Sequence, residues 1–111
     1  METERTAAIS ISASGDNLVI AAPGVGKAIY IDHVNVYPNG AVNVTLYNGA
    51  ATDNKALSGT YQLTTGQALV FDNSGVLEHG ILECSPNKAF NINLSGAVSV
   101  VGFVRYRIYN E

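Results

Sequence analysis

The chain of 111 residues contains no tryptophan, a single cysteine and three prolines, and only 14% of its residues carry charge. Each scarcity argues against something. One cysteine, Cys84, leaves no intramolecular disulfide and no cysteine-built metal site. Within Ile81-Leu82-Glu83-Cys84 it reads as a small buried apolar side chain. No apolar run approaches the roughly 18 residues that a membrane helix needs. The net charge is −3, and Arg105 and Arg107 are the only close basic pair. That argues against the basic stripe on which nonspecific nucleic-acid binding depends. The start, Met1-Glu2-Thr3-Glu4-Arg5-Thr6, lacks the basic-then-apolar order of a signal peptide, so synthesis and folding in a reducing cytosol are expected.

What is present is an ordinary apolar share, 47%, with polarity supplied largely by Asn, Ser, Thr and Gly. An average soluble domain has about 25% charged residues. Either Asn and Thr solvate the outside here, or part of the outside is covered by other protein. The second reading suits six tyrosines, because interface centres are depleted of charge and enriched in Tyr.

Turn signals recur at short intervals: Ser14-Gly15-Asp16-Asn17, Pro23-Gly24-Val25-Gly26, Pro38-Asn39-Gly40, Asn48-Gly49, Asp72-Asn73-Ser74-Gly75, Ser85-Pro86-Asn87 and Ser95-Gly96. Gly and Asn accept positive φ and Pro presets a turn, so these clusters break the chain into segments too short for most helices. Between them apolar and polar residues alternate. Val42, Val44 and Leu46 alternate with Asn43, Thr45 and Tyr47, and Phe90, Ile92 and Leu94 with Asn91, Asn93 and Ser95. Period two places one set inward and the other outward, which suits a sheet with one wet face. Strands are expected near 7–12, 17–22, 27–37, 41–47, 60–63, 68–72, 81–84, 89–95 and 98–109. The fold class is therefore all-β, an antiparallel sandwich formed by a single domain over 7–111, preceded by a polar arm over 1–6.

Two local expectations are sharper. Pro38-Asn39-Gly40 is expected to close a three-residue hairpin that pairs Val36 with Val42 and Val34 with Val44. Ile29 and Ile31 are out of phase with Val34 and Val36, so a bulge near Asp32-His33, or burial on both faces, is expected; a strand bent there can serve both sheets. The final strand is apolar on both faces, as a central, doubly covered strand or a subunit contact would be. Gly102 within it marks a bend or the close approach of another backbone.

The search for chemistry assigns no catalytic, cofactor-binding or metal-binding residue. Gly24-Val25-Gly26-Lys27 holds part of the phosphate-loop pattern, but Ala21 and Ala28 occupy the positions of the required Gly and Ser/Thr. Ile29-Tyr30-Ile31 then follows as strand, with no helix N-terminus to hold phosphate. Asp32-His33 and Glu78-His79 are the only acid–histidine neighbours, and adjacent strand residues point to opposite faces. His33 and His79 lack a third ligand at a spacing that zinc would require. Tyr37 and Tyr47 are expected together on the outer face of the hairpin, where they could stack on a sugar or fill a subunit interface.

Four stretches carry a family likeness: Ala21 to Ile31, Val44-Thr45-Leu46-Tyr47-Asn48-Gly49, Leu57-Ser58-Gly59-Thr60-Tyr61-Gln62-Leu63, and Asn93 to Tyr106 with its closing Val-x-Gly-x-Val-x-Tyr. In these the chain resembles small β-sandwich virion proteins of tailed phages, of the capsid decoration (cement) or head-fibre type. The resemblance implies a jelly-roll-like sandwich without catalytic residues or cofactors. It also implies a homo-oligomer, expected as a trimer, that docks on the major capsid protein lattice at the virion surface, with no nucleic-acid or membrane partner. The alternatives are a lectin-like carbohydrate-binding module using Tyr37 and Tyr47, or a tail or fibre component.

Overall fold

The computed structural model describes residues 4–49, 55–72 and 81–110. Among these residues there are ten strands: β1 (Arg5–Ile11), β2 (Gly15–Ile20), β3 (Lys27–Pro38), β4 (Val42–Asn48), β5 (Lys55–Ala56), β6 (Tyr61–Leu63), β7 (Leu69–Asp72), β8 (Leu82–Glu83), β9 (Phe90–Leu94) and β10 (Val100–Asn110). The expected all-β sandwich is what forms. β1 opens at Arg5, two residues inside the expected polar arm, and β5 is a short strand that the turn signals do not reveal.

All pairings are antiparallel and nested. β1 pairs with β10, β2 with β9, β3 with β7 and β8, and β4 with β5 and β6. The pairs β10–β3 and β9–β4 then close two five-stranded sheets. Sheet A runs β1-β10-β3-β7 with β8 beside β3, and sheet B runs β2-β9-β4-β5 with β6 beside β4. This nested pairing, folded so that β1, β3, β7, β8 and β10 fall in one sheet and β2, β4, β5, β6 and β9 in the other, is a jelly-roll-like sandwich.

The expected β3–β4 hairpin does not form. β3 lies in sheet A and β4 in sheet B. Val36 is opposite Gly102 and Leu69, whereas Val42 is opposite Leu63 and Val44 opposite Tyr61 and Leu94. The valine phase was read correctly but explained wrongly: Val34, Val36, Val42 and Val44 all face one core, from opposite sheets. Buried Pro38 is held at the crossing, its carbonyl accepting from Gly66 N at 2.9 Å while Asn39 N donates to Ser99 O at 2.8 Å.

The expected bulge is present. Arg105 is opposite His33 and Tyr106 opposite Ile31, so Asp32 is the extra residue. It restores the inward phase on both sides, and Ile29, Ile31, Val34 and Val36 are all fully buried. The bent strand does not serve both sheets, since all its partners belong to sheet A. Phe90, Leu46, Ile92 and Leu94 supply the opposing wall from sheet B. Each such side chain contributes on the order of 1.5–3 kcal/mol by leaving water.

Candidate interaction face

The two outer faces differ, and the difference follows from the strand registers. On sheet B, Asp16, Asn93 and Thr45 lie in one row and Leu18, Asn91, Tyr47 and Ala56 in the next. Their polar groups are largely tied to the protein itself. Asn93 Nδ2 donates to Asp16 Oδ1 at 2.8 Å, Thr45 and Thr60 hydroxyls lie 2.8 Å apart, and Asn91 Nδ2 donates to Gly49 O. This is the wet face that the alternation predicts.

Sheet A presents four rows. Ser10, Val101 and Tyr37 form the first, and Ala8, Phe103, Asn35 and Val70 the second. Thr6, Arg105, His33 and Asp72 form the third, and Arg107, Tyr30 and Glu83 the fourth, with the bulge residue Asp32 beside it. The first two rows are largely apolar and open: Tyr37, Val70 and Val101 are 44%, 52% and 39% exposed. β10 is thus central within its sheet, but its outward Val101 is not covered by the described residues.

The other two rows are ionic. Arg107 grips Asp32 with two hydrogen bonds, Nε to Oδ2 at 2.7 Å and Nη2 to Oδ1 at 3.0 Å. Its guanidinium also lies 5.8 Å from the Tyr30 ring centre, and Tyr30 stacks on Tyr109 at 5.1 Å. Arg105 lies 3.6 Å from Glu4, and His33 Nδ1 lies 3.4 Å from Asp72 Oδ1. The partner of His33 is therefore across the β3–β7 register rather than beside it in sequence, a relation that only the pairing reveals. Phe103 stacks on His33 at 5.1 Å, and Arg105 and Asp72 flank it. None of these neighbours is a nucleophile.

The Glu4 carboxyl is held above its ordinary pKa by partial burial, and by the hydrogen bond and charge of Asp32; Arg105 and Arg107 act the other way. A raised folded-state pKa means that the folded chain binds more proton than the unfolded chain. Stability from this source is full at pH below 4.5 and is lost as pH rises through the folded-state value. Glu4→Gln is therefore expected to gain on the wild type as pH rises across that window. The gain stays below about 1 kcal/mol because the carboxyl is partly exposed; melting temperatures at pH 3 to 7 (about 1 unit apart) check it.

Several sequence candidates are now placed. Tyr37 and Tyr47 do not share a platform, since Tyr37 is on sheet A and Tyr47 on sheet B. Gly24-Val25-Gly26 is a turn, with Lys27 N donating to Gly24 O at 3.2 Å, and the Gly24 N–H is taken by Asn87 Oδ1 at 3.0 Å. Glu78 and His79 lie outside the described residues. Among the described residues no three His, Cys, Asp or Glu side chains cluster closely enough to hold a metal ion. A pocket of about 200 Å³ opens between the sheets, lined by Leu46, Leu57, Phe71, Ile81 and Leu82, with Ser58 and Tyr61 as the side chains that carry a hydroxyl. Ser58 is engaged, its Oγ accepting from Leu46 N and donating to Gly59 O. Cys84 is 1% exposed, and burial, with a smaller contribution from the Glu83 charge, pushes its thiol up to about 12.

No family model and no curated protein sequence matches the chain. Among solved structures it is similar to a subunit of Bacillus endospore appendages, described as a novel family of disulfide-linked pili. The TM-score is 0.58 at 17% identity, over 99% of this chain and 88% of that one. At that identity the likeness is one of fold. It corrects the expectation of a capsid decoration protein: the solved chain matched here along almost the whole length is an appendage subunit, not a virion component. The sugar platform had already lost its geometry, since Tyr37 and Tyr47 lie on different sheets.

Proposed function

We propose that the chain is a non-enzymatic structural subunit that assembles with copies of itself. The observation that carries this is the pair of open apolar rows on sheet A, where Val101, Tyr37 and Val70 gather on adjacent rows, whereas the strands of sheet B expose one large aliphatic side chain, Leu18, among mostly polar neighbours. Exposed aliphatic and aromatic side chains gathered in one patch are the mark of a protein contact. The low charge content points the same way. The fold shared with a pilus subunit supports a repeating use of such a sandwich.

The chemistry of linkage differs from that pilus. The one cysteine of this chain is 1% exposed, and burial pushes its thiol up to about 12, so it is neither accessible nor ionised as an attacking thiolate at neutral pH. Assembly here is therefore noncovalent. Sedimentation across a concentration series is expected to give masses above the 11.7 kDa of one chain, unchanged by reductant and lowered by Val101→Asp. A chain that stays at single-subunit mass throughout overturns the reading.

A further inference from the structure

Antiparallel sheets present unpaired N–H and C=O groups at their outer strands, and proteins blunt such edges with Lys, Pro, bulges or short strands. Among the described residues, three of the four edges are blunted. The β7/β8 edge is split into strands of four and two residues, and the β5/β6 edge into two and three. The β2 edge carries Asp16 and a register shift between Leu18 and Ile20. β1 is different. It runs seven residues in unbroken register with β10, has no proline and no lysine, and carries charge only at Arg5. Among the described residues β10 is its only strand partner.

We infer that the β1 edge pairs with β1 of a second copy, antiparallel about a two-fold axis through Ala8, joining the two A sheets into one. This deepens the assembly reading above and rests on it. The register follows from side-chain phase. Directly opposite residues share a face, so only registers that pair Thr6, Ala8 and Ser10 among themselves keep both cores inward. Centring on Ala8 uses the whole strand: Arg5 meets the partner's Ile11, Thr6 the partner's Ser10, Ala7 the partner's Ile9, and Ala8 meets itself. No like charges face each other, Thr and Ser can exchange a hydrogen bond, and the smallest side chain sits on the axis, as an isologous contact favours. The row Val70, Asn35, Phe103, Ala8 then continues into its own image across eight strands.

The test places charge on the axis. Ala8 points outward and is exposed, so Ala8→Lys and Ala8→Glu leave the core untouched. Each variant alone is expected to weaken self-association at least about a hundredfold, and an equimolar mixture of the two to restore it. A second measurement does not depend on tolerating charge. Ala8→Cys is expected to cross-link to itself under mild oxidation, because opposite Cβ atoms lie about 4.5–5.5 Å apart, while Thr6→Cys, offset from its own copy, is not. Cys84 is too buried to interfere. Association of the wild type that neither charge variant changes, or cross-linking of Thr6→Cys as efficient as that of Ala8→Cys, overturns the β1 contact while leaving self-assembly standing. A monomeric wild type removes the assembly reading itself.

Discussion

Gly102→Val is expected to abolish folding, and Gly102→Ala to lower stability by at least about 3 kcal/mol, read from urea unfolding. Gly102 sits in the middle of β10, opposite Ile9 on β1 and Val36 on β3. Its φ of 153° belongs to the region that L side chains avoid. A Cβ built there would lie 1.8 Å from Asn35 O and 2.8 Å from Asn35 C. The obstacle is backbone on the adjacent strand, not the tip of a movable side chain, so relief requires β10 and β3 to separate. That separation breaks the longest pairing in the molecule, Val100–Asn110 against Lys27–Pro38. Gly59 is the control: its added Cβ would meet nothing within 4 Å, and Gly59→Ala is expected to change stability by less than about 1 kcal/mol. Loss of the β10 register would also release β1, so any Gly102 variant that retains partial structure should lose self-association along with stability.

Gly102 shows what a sequence can and cannot disclose. A glycine inside an apolar strand pattern announces that a bend or a neighbouring backbone is close, and both the position and the kind of constraint were legible. The break in phase between Ile29, Ile31 and Val34, Val36 was legible too, and of the two explanations it allowed, a bulge or burial on both faces, the pairing shows the bulge. Strand positions followed from turn chemistry and period two, both local properties of the chain. The pairing of β3 with β4 was misread because a Pro-Asn-Gly turn and a valine phase fit equally a hairpin and a crossing between two sheets. Deciding between them needs the long-range partners, Gly102 for Val36 and Leu63 for Val42. Local chemistry does not name those.

The interaction face was legible only in fragments for the same reason. Tyr37 was recognised as outward-facing and Arg105 with Arg107 as a basic pair. Their meaning comes from neighbours far away in sequence: Val101 beside Tyr37, Asp32 under Arg107, Asp72 across from His33. The acids on this face, Glu4, Asp32, Asp72 and Glu83, come from four separate stretches of the chain, and no spacing rule gathers them. β1 as an open edge is a property of sheet order, which alternation along the chain does not contain. Its self-complementarity about Ala8 can be read from the residues, but only once the edge is known.

The ion pair at the bulge carries the second large effect. Asp32 and Arg107 retain 12% and 20% side-chain exposure, so their attraction is only lightly screened, and removing one partner strands the other. Asp32→Ala is expected to cost about 2–4 kcal/mol, somewhat below the fully buried case. Arg107→Met is expected to cost more at neutral pH, because it also removes the cation from the Tyr30 ring and leaves Asp32 beside Glu4 with less compensation. The double variant should be less damaged than the two losses added together, with a coupling of about 1–3 kcal/mol in a double-mutant cycle. The pH dependence has a definite sign. Arg107 is one of the two cations that hold the Glu4 pKa down, so without it Glu4 stays protonated to higher pH in the folded chain. The folded state then binds excess proton over a wider range, and Arg107→Met loses stability more steeply than the wild type as pH rises from 4.5. Adding Glu4→Gln to Arg107→Met should flatten that slope. Additive single losses, with no change of slope, would mean that the bulge places Asp32 for its backbone alone and that its carboxylate does not anchor β10 to β3.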